Sequence, residues 1–396
     1  MVSLEKNYMK LSDDFLFKKI ADERSKFEEK FDDVIDLSIG DIKLPLSKSV
    51  IDKCKEASDE MLNVETFRGY SPNGGYLFLK EKIQNEYSER KISVELDEIF
   101  VSDGAKSDIS NILDLFSSNN TSLIPDPVYP VYVDTNIMKG TKIIYSDCNE
   151  ENNFLPSPNF NIKVDLIYIC SPNNPTGSSY TKEQLSEWVE YANYNKSIIL
   201  YDAAYEAFIS DKKYCKSIFE IEGSKTCAIE FKSFSKSSGF TGMRCGYTVV
   251  PNSLVFDGMN LNKMWNRRHS TKFNGVPYII QRAAEETYSE KGKEQCKKSL
   301  MYYKENAKIL SDALRSISID FVGGDNSPYI WMKCPFGMKS WDFFRYLLSN
   351  FRIVGVPGVG FGKNGEHFFR LSCFGLRDNI NIACNRLKKI KENYDS

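Results

Sequence analysis

Residues 233–246 read Ser233-Phe-Ser-Lys236-Ser-Ser-Gly-Phe-Thr-Gly-Met-Arg244-Cys-Gly246. The stretch is too rich in Ser, Gly and Thr for a core helix, and it follows the apolar run Thr226–Phe231. A lysine set among small hydroxyl residues can lose its proton in a partly desolvated site and condense with an aldehyde. The hydroxyls of Ser233 and Ser235 and the planar fork of Arg244 suit phosphate oxygens. An aldehyde and a phosphate on one small molecule describe pyridoxal 5'-phosphate (PLP). A surface loop with an ordinary lysine is the competing reading, and the residues upstream decide between them.

Those residues lie in an alternation of strands and helices between 97 and 250. Ile99–Ser102, Ser122–Pro125, Lys142–Tyr145, Leu166–Cys170, Ile198–Tyr201, Thr226–Phe231 and Tyr247–Val250 read as buried strands, with helices at Gly104–Phe116 and 182–194. The pattern predicts an α/β fold with a mostly parallel central sheet covered on both faces. Ligands of such sheets bind outside the carboxyl ends of the strands. Several strand ends carry suitable residues. Asp202 ends an apolar strand, where a carboxylate is costly unless paired, and a pyridinium nitrogen is a fitting partner. A helix-capping Asp is the plainer alternative. Tyr205 follows within reach of the ring oxygen. Ser102-Asp-Gly104-Ala105-Lys106 opens a helix whose first N–H groups suit a phosphate. Ser171-Pro-Asn-Asn174-Pro-Thr-Gly177 is a rigid turn that can hold the Asn174 amide against the ring. Tyr129 offers an aromatic plate, and Arg370, in Phe-Phe-Arg-Leu-Ser, offers a bidentate clamp for a substrate carboxylate.

The remainder of the chain divides into an N-terminal arm (1–45), a large domain (46–279) and a small α/β domain (280–396). In the arm, Phe15, Leu16, Ile20 and Phe27 recur at helical spacing, and Ile35–Asp41 reads as a short strand that includes Gly40. Helices are expected at 47–62, capped by Ser47, from Tyr76 to Arg90, as one long stretch over Pro277–Arg315, at Trp341–Asn350 and at 376–392. Strands are expected at Ser327–Lys333 and Phe368–Ser372. Residues after Glu392 read as a frayed tail. Gly358-Val-Gly-Phe-Gly-Lys-Asn-Gly365 satisfies neither nucleotide-binding glycine motif and reads as a flexible loop.

The 396 residues, 41% hydrophobic and 27% charged, allow about two domains with substantial cores. A net charge of −2 gives no footprint for nucleic acid or an anionic membrane. No apolar run approaches a bilayer span and the first ten residues lack a signal-peptide core, which predicts a cytoplasmic protein. The ten cysteines form no C-x-x-C pair and read as reduced core residues, and two histidines make a metal site an unfavoured reading.

The order of these motifs resembles that of fold-type I PLP-dependent aminotransferases over nearly the whole chain. The matching residues are Tyr70, Gly104–Lys106, Tyr129, Asn173–Gly177, Asp202–Tyr205, Ser233–Lys236, Arg244 and Arg370. Within that group the chain is most similar to the LL-diaminopimelate aminotransferase family. That similarity rests on Tyr201-Asp-Ala-Ala-Tyr-Glu-Ala-Phe-Ile209, Ser233–Gly246, Trp265-Asn-Arg-Arg-His-Ser-Thr-Lys-Phe-Asn-Gly275, Gln281–Ala284 and Val356–Gly362. The resemblance implies a homodimer with shared active sites that acts on amino acids and 2-oxo acids. It implies Lys236 as the Schiff-base lysine, Asp202 at the pyridine nitrogen, and Asn174 and Tyr205 at the ring oxygen. Gly104, Ala105, Lys106, Ser233, Ser235 and Arg244 would surround the phosphate, Tyr129 would stack on the ring, and Tyr70 would reach in from across the interface. Gly40, Asn174 and Arg370 would meet the α-carboxylate. Phe15, Asn73, Lys106, Tyr129 and Asn274 would line the remaining substrate pocket. Two positions depart from the family: Asn73 stands where a Glu is usual, and Phe15 where a Tyr is usual, so the distal pocket is altered. A PLP-dependent lyase or cyclase acting on a basic amino acid is the alternative activity. The presence of both Lys236 and Asp202 argues against a non-catalytic binding module.

Overall fold

Alternate residues of the central strands go to opposite faces of one sheet. Ile99, Val101, Ile167, Ile169, Ile199 and Tyr201 join one hydrophobic cluster. Phe100, Leu166, Tyr168, Cys170, Ile198 and Leu200 join the other. A strand buried on both sides needs apolar residues at every position, which is why these runs are continuous rather than alternating. The structure, a computed structural model, describes residues 2–11, 16–29 and 31–390. Phe15 and the segment after Glu392 therefore lie outside the described residues.

The sheet has seven strands. Across it they run Ile99–Ser102, Gly246–Val249, Ala228–Ser233, Ile198–Asp202, Leu166–Cys170, Thr121–Asp126 and Lys142–Asp147. Only Gly246–Val249 is antiparallel to its neighbours. The carboxyl ends of five parallel-type strands thus converge on one edge, and the segments that follow them carry Ala105, Tyr129, Asn174, Tyr205 and Lys236.

A second, antiparallel sheet takes the order Phe321–Gly323, Tyr329–Lys333, Phe368–Ser372, Val356–Pro357. Its core includes Trp331, Phe343, Phe344, Leu347 and Phe369. Ile35–Asp36 pairs in parallel with Ile353–Val354, and the Leu37 N–H donates to the Val354 carbonyl at 2.7 Å. The expected strand Ile35–Asp41 is therefore only two residues long. Beyond it the chain leaves the sheet and carries Ser38 and Gly40 toward the large-sheet edge.

Three other expectations are corrected. The stretch 277–315 is two helices, Tyr278–Glu286 and Glu290–Ser316. Ser289 caps the second, its hydroxyl accepting the Gly292 N–H at 2.9 Å. Ser47 stands at the cap position of Lys48–Glu60, but its side chain makes no capping bond. The segment 358–365 is two successive 3-10 turns, Gly358–Phe361 and Lys363–Gly365. The glycines there let backbone pack on backbone: a Cβ on Gly358 would overlap the Gly365 carbonyl oxygen. The Phe361 carbonyl accepts from Val128 at 2.8 Å, which ties this segment to the large sheet. Among the described residues, no helix is long and apolar enough to cross a membrane.

Candidate active site

Lys236 sits on a single helical turn, Phe234–Ser237, immediately after a central strand. The Ser233 hydroxyl accepts the Ser235 N–H at 3.1 Å, and the Phe234 N–H donates to the Cys245 carbonyl. These bonds hold the turn against the returning strand. The lysine side chain enters a cavity of about 420 Å³, where its ammonium donates to the Gly40 carbonyl. Burial is the main cause that lowers the Lys236 amine to about 8. The Asp41 carboxylate opposes that shift, and the Arg370 and Arg244 charges add to it. The amine is therefore neutral, and nucleophilic, over a range in which an exposed lysine stays protonated.

The same cavity is lined by Gly40, Ala105, Lys106, Tyr129, Asn174, Asp202, Tyr205, Ser233, Ser235, Arg244 and Arg370. Asp202 is 7% exposed. Its Oδ2 accepts the Tyr132 hydroxyl at 2.6 Å and its Oδ1 accepts the Ala204 N–H at 2.9 Å. Burial raises its carboxyl pKa, and those two donors oppose the shift. The carboxylate thus takes a turn-type backbone bond and also faces the cavity. It does not cap a helix, since the 3-10 turn that follows, Glu206–Phe208, has Tyr205 at its cap position.

Arg370 is buried to 1% exposure. Its Nη1 donates to Asn174 Oδ1 at 2.7 Å and its Nη2 to the Ser38 carbonyl at 2.6 Å. The guanidinium stacks over the rings of Tyr329 (4.4 Å) and Phe361 (4.9 Å). The fork is thereby held by the arm, a large-sheet turn and two aromatic plates at once. The Tyr205 and Tyr329 hydroxyls lie 2.9 Å apart. A Cβ on Gly40 would overlap the Tyr329 hydroxyl, so glycine is needed where the arm crosses.

At the other end, Arg244 Nη1 donates to Ser235 Oγ at 3.4 Å. Arg244 itself has φ +60°, an unfavourable backbone for an L-residue, held by its N–H bond to the Phe240 carbonyl at 3.0 Å. Gly104 does not line the cavity but stands behind Arg244, where a Cβ would come within 2.9 Å of Nη2. Behind both, the buried Asp108 accepts from Ser102 (2.5 Å) and Thr248 (2.6 Å), and Ser102 Oγ accepts the Gly104 N–H at 3.3 Å. Burial pushes the Asp108 carboxyl up to about 7 against those hydrogen bonds.

Not every expected residue reaches this cavity. Tyr70 is 85% exposed. Asn73 is exposed and donates to Asn266 Oδ1 at 2.5 Å, and Asn274 is exposed. None of the three lines the cavity of its own chain. Conversely, Asp41, Tyr132 and Tyr329 line it without having been singled out. Tyr132 had a findable signal, since it lies one turn after Tyr129 in a segment that begins with Pro130. Among the described residues no His, Cys, Asp and Glu cluster can hold a metal ion. All ten cysteines are free, eight of them buried.

The residues fit PLP on the chemistry of the donor set. A lysine amine lowered to about 8 lies in one cavity with a buried carboxylate, an aromatic side chain, and a serine–arginine cluster that suits phosphate. Residues 32–387 match the sequence model of the family described as aminotransferase class I and II. The chain is 47% identical to LL-diaminopimelate aminotransferase of Prochlorococcus marinus (strain MIT 9515), covering 98% of this chain and 100% of that one. It is 48% identical to the enzyme of the same name from Agathobacter rectalis, with the same coverage. The solved L,L-diaminopimelate aminotransferase of Chlamydomonas reinhardtii superposes with a TM-score of 0.93 at 40% identity, covering 98% of this chain and 99% of the other. The chain belongs to the aminotransferase class I and II family, and it is a PLP-dependent aminotransferase of the fold-type I architecture.

Proposed function

We propose that this enzyme moves the amino group of an α-amino acid with a polar second end, for which LL-diaminopimelate is the nearest named compound, to a 2-oxo acid. One observation carries the reading: Arg370 and Asn174, bonded at 2.7 Å, share a single cavity with a lysine amine lowered to about 8. Arg370 clamps the substrate α-carboxylate bidentately, with Asn174 and Gly40 beside it. Lys236, as the neutral amine, takes the proton from the substrate Cα. Ser233, Ser235, Arg244, Ala105 and Lys106 would hold the cofactor phosphate, Tyr129 would cover its ring, Asp202 would pair with its ring nitrogen, and Tyr205 would meet its ring oxygen. When bound, the cofactor supplies the electron sink that makes the Cα proton removable.

We further propose that the enzyme works as a cytoplasmic homodimer. Tyr70, Asn73 and Asn274 would then complete the partner's site, since none lines the cavity of its own chain. Leu62, Val64, Phe67, Tyr70 and Leu77 are 57–91% exposed on that same segment, an apolar run that a second copy would cover. The division into an arm with the small domain (1–45 and 280–396) and a large domain (46–279) is part of this proposal.

The distal pocket departs from the family at Asn73. Losing a charged hydrogen bond to an ammonium costs about 1.5–3 kcal/mol, roughly ten- to a hundredfold in affinity. The test measures kcat/KM for LL-diaminopimelate beside lysine, ornithine, arginine, glutamate and aspartate, with products identified by mass spectrometry. Asn73→Glu is expected to raise the value for LL-diaminopimelate by about tenfold or more. An unchanged value would mean that Asn73 is neutral toward the second ammonium. Absence of a 2-oxo acid product from every compound would sink the substrate reading.

A further inference from the structure

A second cavity, of about 570 Å³, lies behind the active site. Ala204 and Ser233 line both. The turn Phe234–Ser237 is shared between them: Ser235 and Lys236 face the first cavity, Phe234 and Ser237 the second.

The second cavity has a surplus of positive charge. Six cationic side chains line it against three carboxylates, in a chain whose overall charge is −2. The carboxylates are already engaged. Glu86 pairs with Arg90 at 2.5 Å, Glu206 with Arg90 (3.4 Å) and Lys232 (3.8 Å), and Glu89 with Lys293 (3.4 Å). Three ammonium groups, Lys216, Lys297 and Lys304, make no ion pair: among the described residues none has a carboxylate oxygen within 4 Å, and Lys216 feels the Glu206 charge only from beyond that distance. They come from two elements. Lys297 and Lys304 are seven residues apart, on one face of the helix Glu290–Ser316, and Lys216 stands on the segment that follows Ser210. Lys304 donates to the Ser210 hydroxyl, which is neutral. Its amine is lowered first by burial and then by the neighbouring Lys216 charge. Like charges brought together at a half-buried wall are unfavourable unless an anion joins them. The hydroxyls of Ser237 and Ser238, also in the lining, add donors of the kind that carboxylate and phosphate oxygens accept.

We propose that this cavity is a binding site for a small multivalent oxyanion, held by Lys216, Lys304 and Lys297, on the far side of the turn that carries Lys236. The ligand bears at least two negative charges on carboxylate or phosphate oxygens and is small enough to sit between the long helix and the 206–216 segment.

The test uses PLP-loaded enzyme, so that the active-site phosphate position is filled, at low ionic strength. Citrate and inorganic phosphate are titrated separately by calorimetry, with sodium chloride at matched ionic strength as the control. The expected result is saturable binding of one anion per chain, with a rise in Tm that chloride does not reproduce. The tighter of the two probes identifies the class, tricarboxylate or phosphate. In Lys216→Gln/Lys304→Gln the affinity should fall about tenfold or more, because each lost charged hydrogen bond is worth that much. The Tm without anion should hold or rise, since a like-charge contact is relieved. Lys297→Gln, exposed on its helix, gives an independent variant should the double substitution impair folding, and it too should weaken binding. Binding equal in wild type and variants, or a Tm rise that chloride matches, would overturn the proposal.

Discussion

Lys236 makes the most direct prediction at the scale of a residue. An ordinary lysine, near 10.5, would capture the cofactor aldehyde only at high pH. With the amine lowered to about 8, capture by cofactor-free protein should rise with pH and reach half its limit near 8. Of the charges that act on this amine, Asp41 has the largest effect and stabilises the ammonium form. Asp41→Asn should therefore move the midpoint lower. The readout is the mass added to Lys236 after borohydride reduction, followed across pH, and Lys236→Ala should show none. A midpoint that rises in Asp41→Asn, or a label on a different lysine, would defeat this assignment. Arg370 gives a second test. Its fork spans Asn174 Oδ1 and the Ser38 carbonyl, which a lysine cannot reproduce. Arg370→Lys keeps the charge, so the expected effect is a rise in KM of about tenfold or more for the amino acid substrate. Steady-state kinetics beside circular dichroism of the variant would check it. The residues that sequence reading singled out at strand ends are those whose chemistry is unusual for their place: a lysine among serines, a carboxylate ending an apolar run. Tyr329 escaped because a tyrosine in an apolar run reads as ordinary core, and Tyr132 because its only mark is its place one turn after Tyr129. Their roles come from distance alone, 2.6 Å to Asp202 and 2.9 Å to Tyr205.

At the scale of elements, the junction at 287–292 shows where a helix pattern and a helix part company. The stretch from Pro277 to Arg315 reads in the sequence as one long helix, although residues 289–295 carry no apolar side chain. The break is set by a local bond, Ser289 Oγ to the Gly292 N–H, and by close packing of the two helix ends. A Cβ on Gly292 would overlap the Glu286 carbonyl oxygen, which is backbone and cannot swing aside. Gly292→Ala should therefore destabilise the protein by about 1–3 kcal/mol despite the better helix propensity of alanine. A fall in the midpoint of denaturant unfolding with an unchanged slope would bear this out, and a gain in stability would contradict it. The strands were legible for the opposite reason. Leu166–Cys170 and Ile99–Ser102 are buried on both faces, and only continuous apolar runs satisfy that environment. The ordered turns at 358–365 were hidden because glycine signals freedom of the backbone. Here the same residues permit close backbone packing, and the segment delivers Phe361 beneath Arg370. The helix Pro130–Lys139 was overlooked although Pro at its first position and Gly140 after its end are standard boundary residues.

At the scale of the molecule, the cavity is built by parts far apart in the chain. Gly40 and Asp41 come from the arm, Asn174, Asp202 and Lys236 from the large-sheet edge, and Arg370 from the small sheet. The arm can supply its residues because Ile35–Asp36 is paired to Ile353–Val354 and the Ser372 N–H donates to the Leu37 carbonyl at 2.8 Å. What this one chain does not bring to the cavity is the stretch around Tyr70 and Asn73, whose side chains stand exposed beside Leu62, Val64 and Phe67. A loop so rich in exposed apolar groups is unfavourable in water unless another surface covers it. A second copy related by a two-fold axis would cover it and insert the same loop into the opposite cavity, because such an interface is reciprocal. The proposed dimer then predicts complementation. In it Tyr70→Phe would weaken the partner's site, into which its own chain reaches, and Lys236→Ala would disable the site of the chain that carries it. In a mixed dimer of the two variants, one site pairs a native Lys236 with a native Tyr70 from the other chain, and the second site carries both lesions. Co-refolding the two variants should therefore yield more activity than the sum of the separate proteins, rising with the fraction of mixed dimer isolated by a dual-tag purification. Activity no greater than that sum, at a verified content of mixed dimer, would show that each chain completes its own site and that the exposed loop serves another purpose.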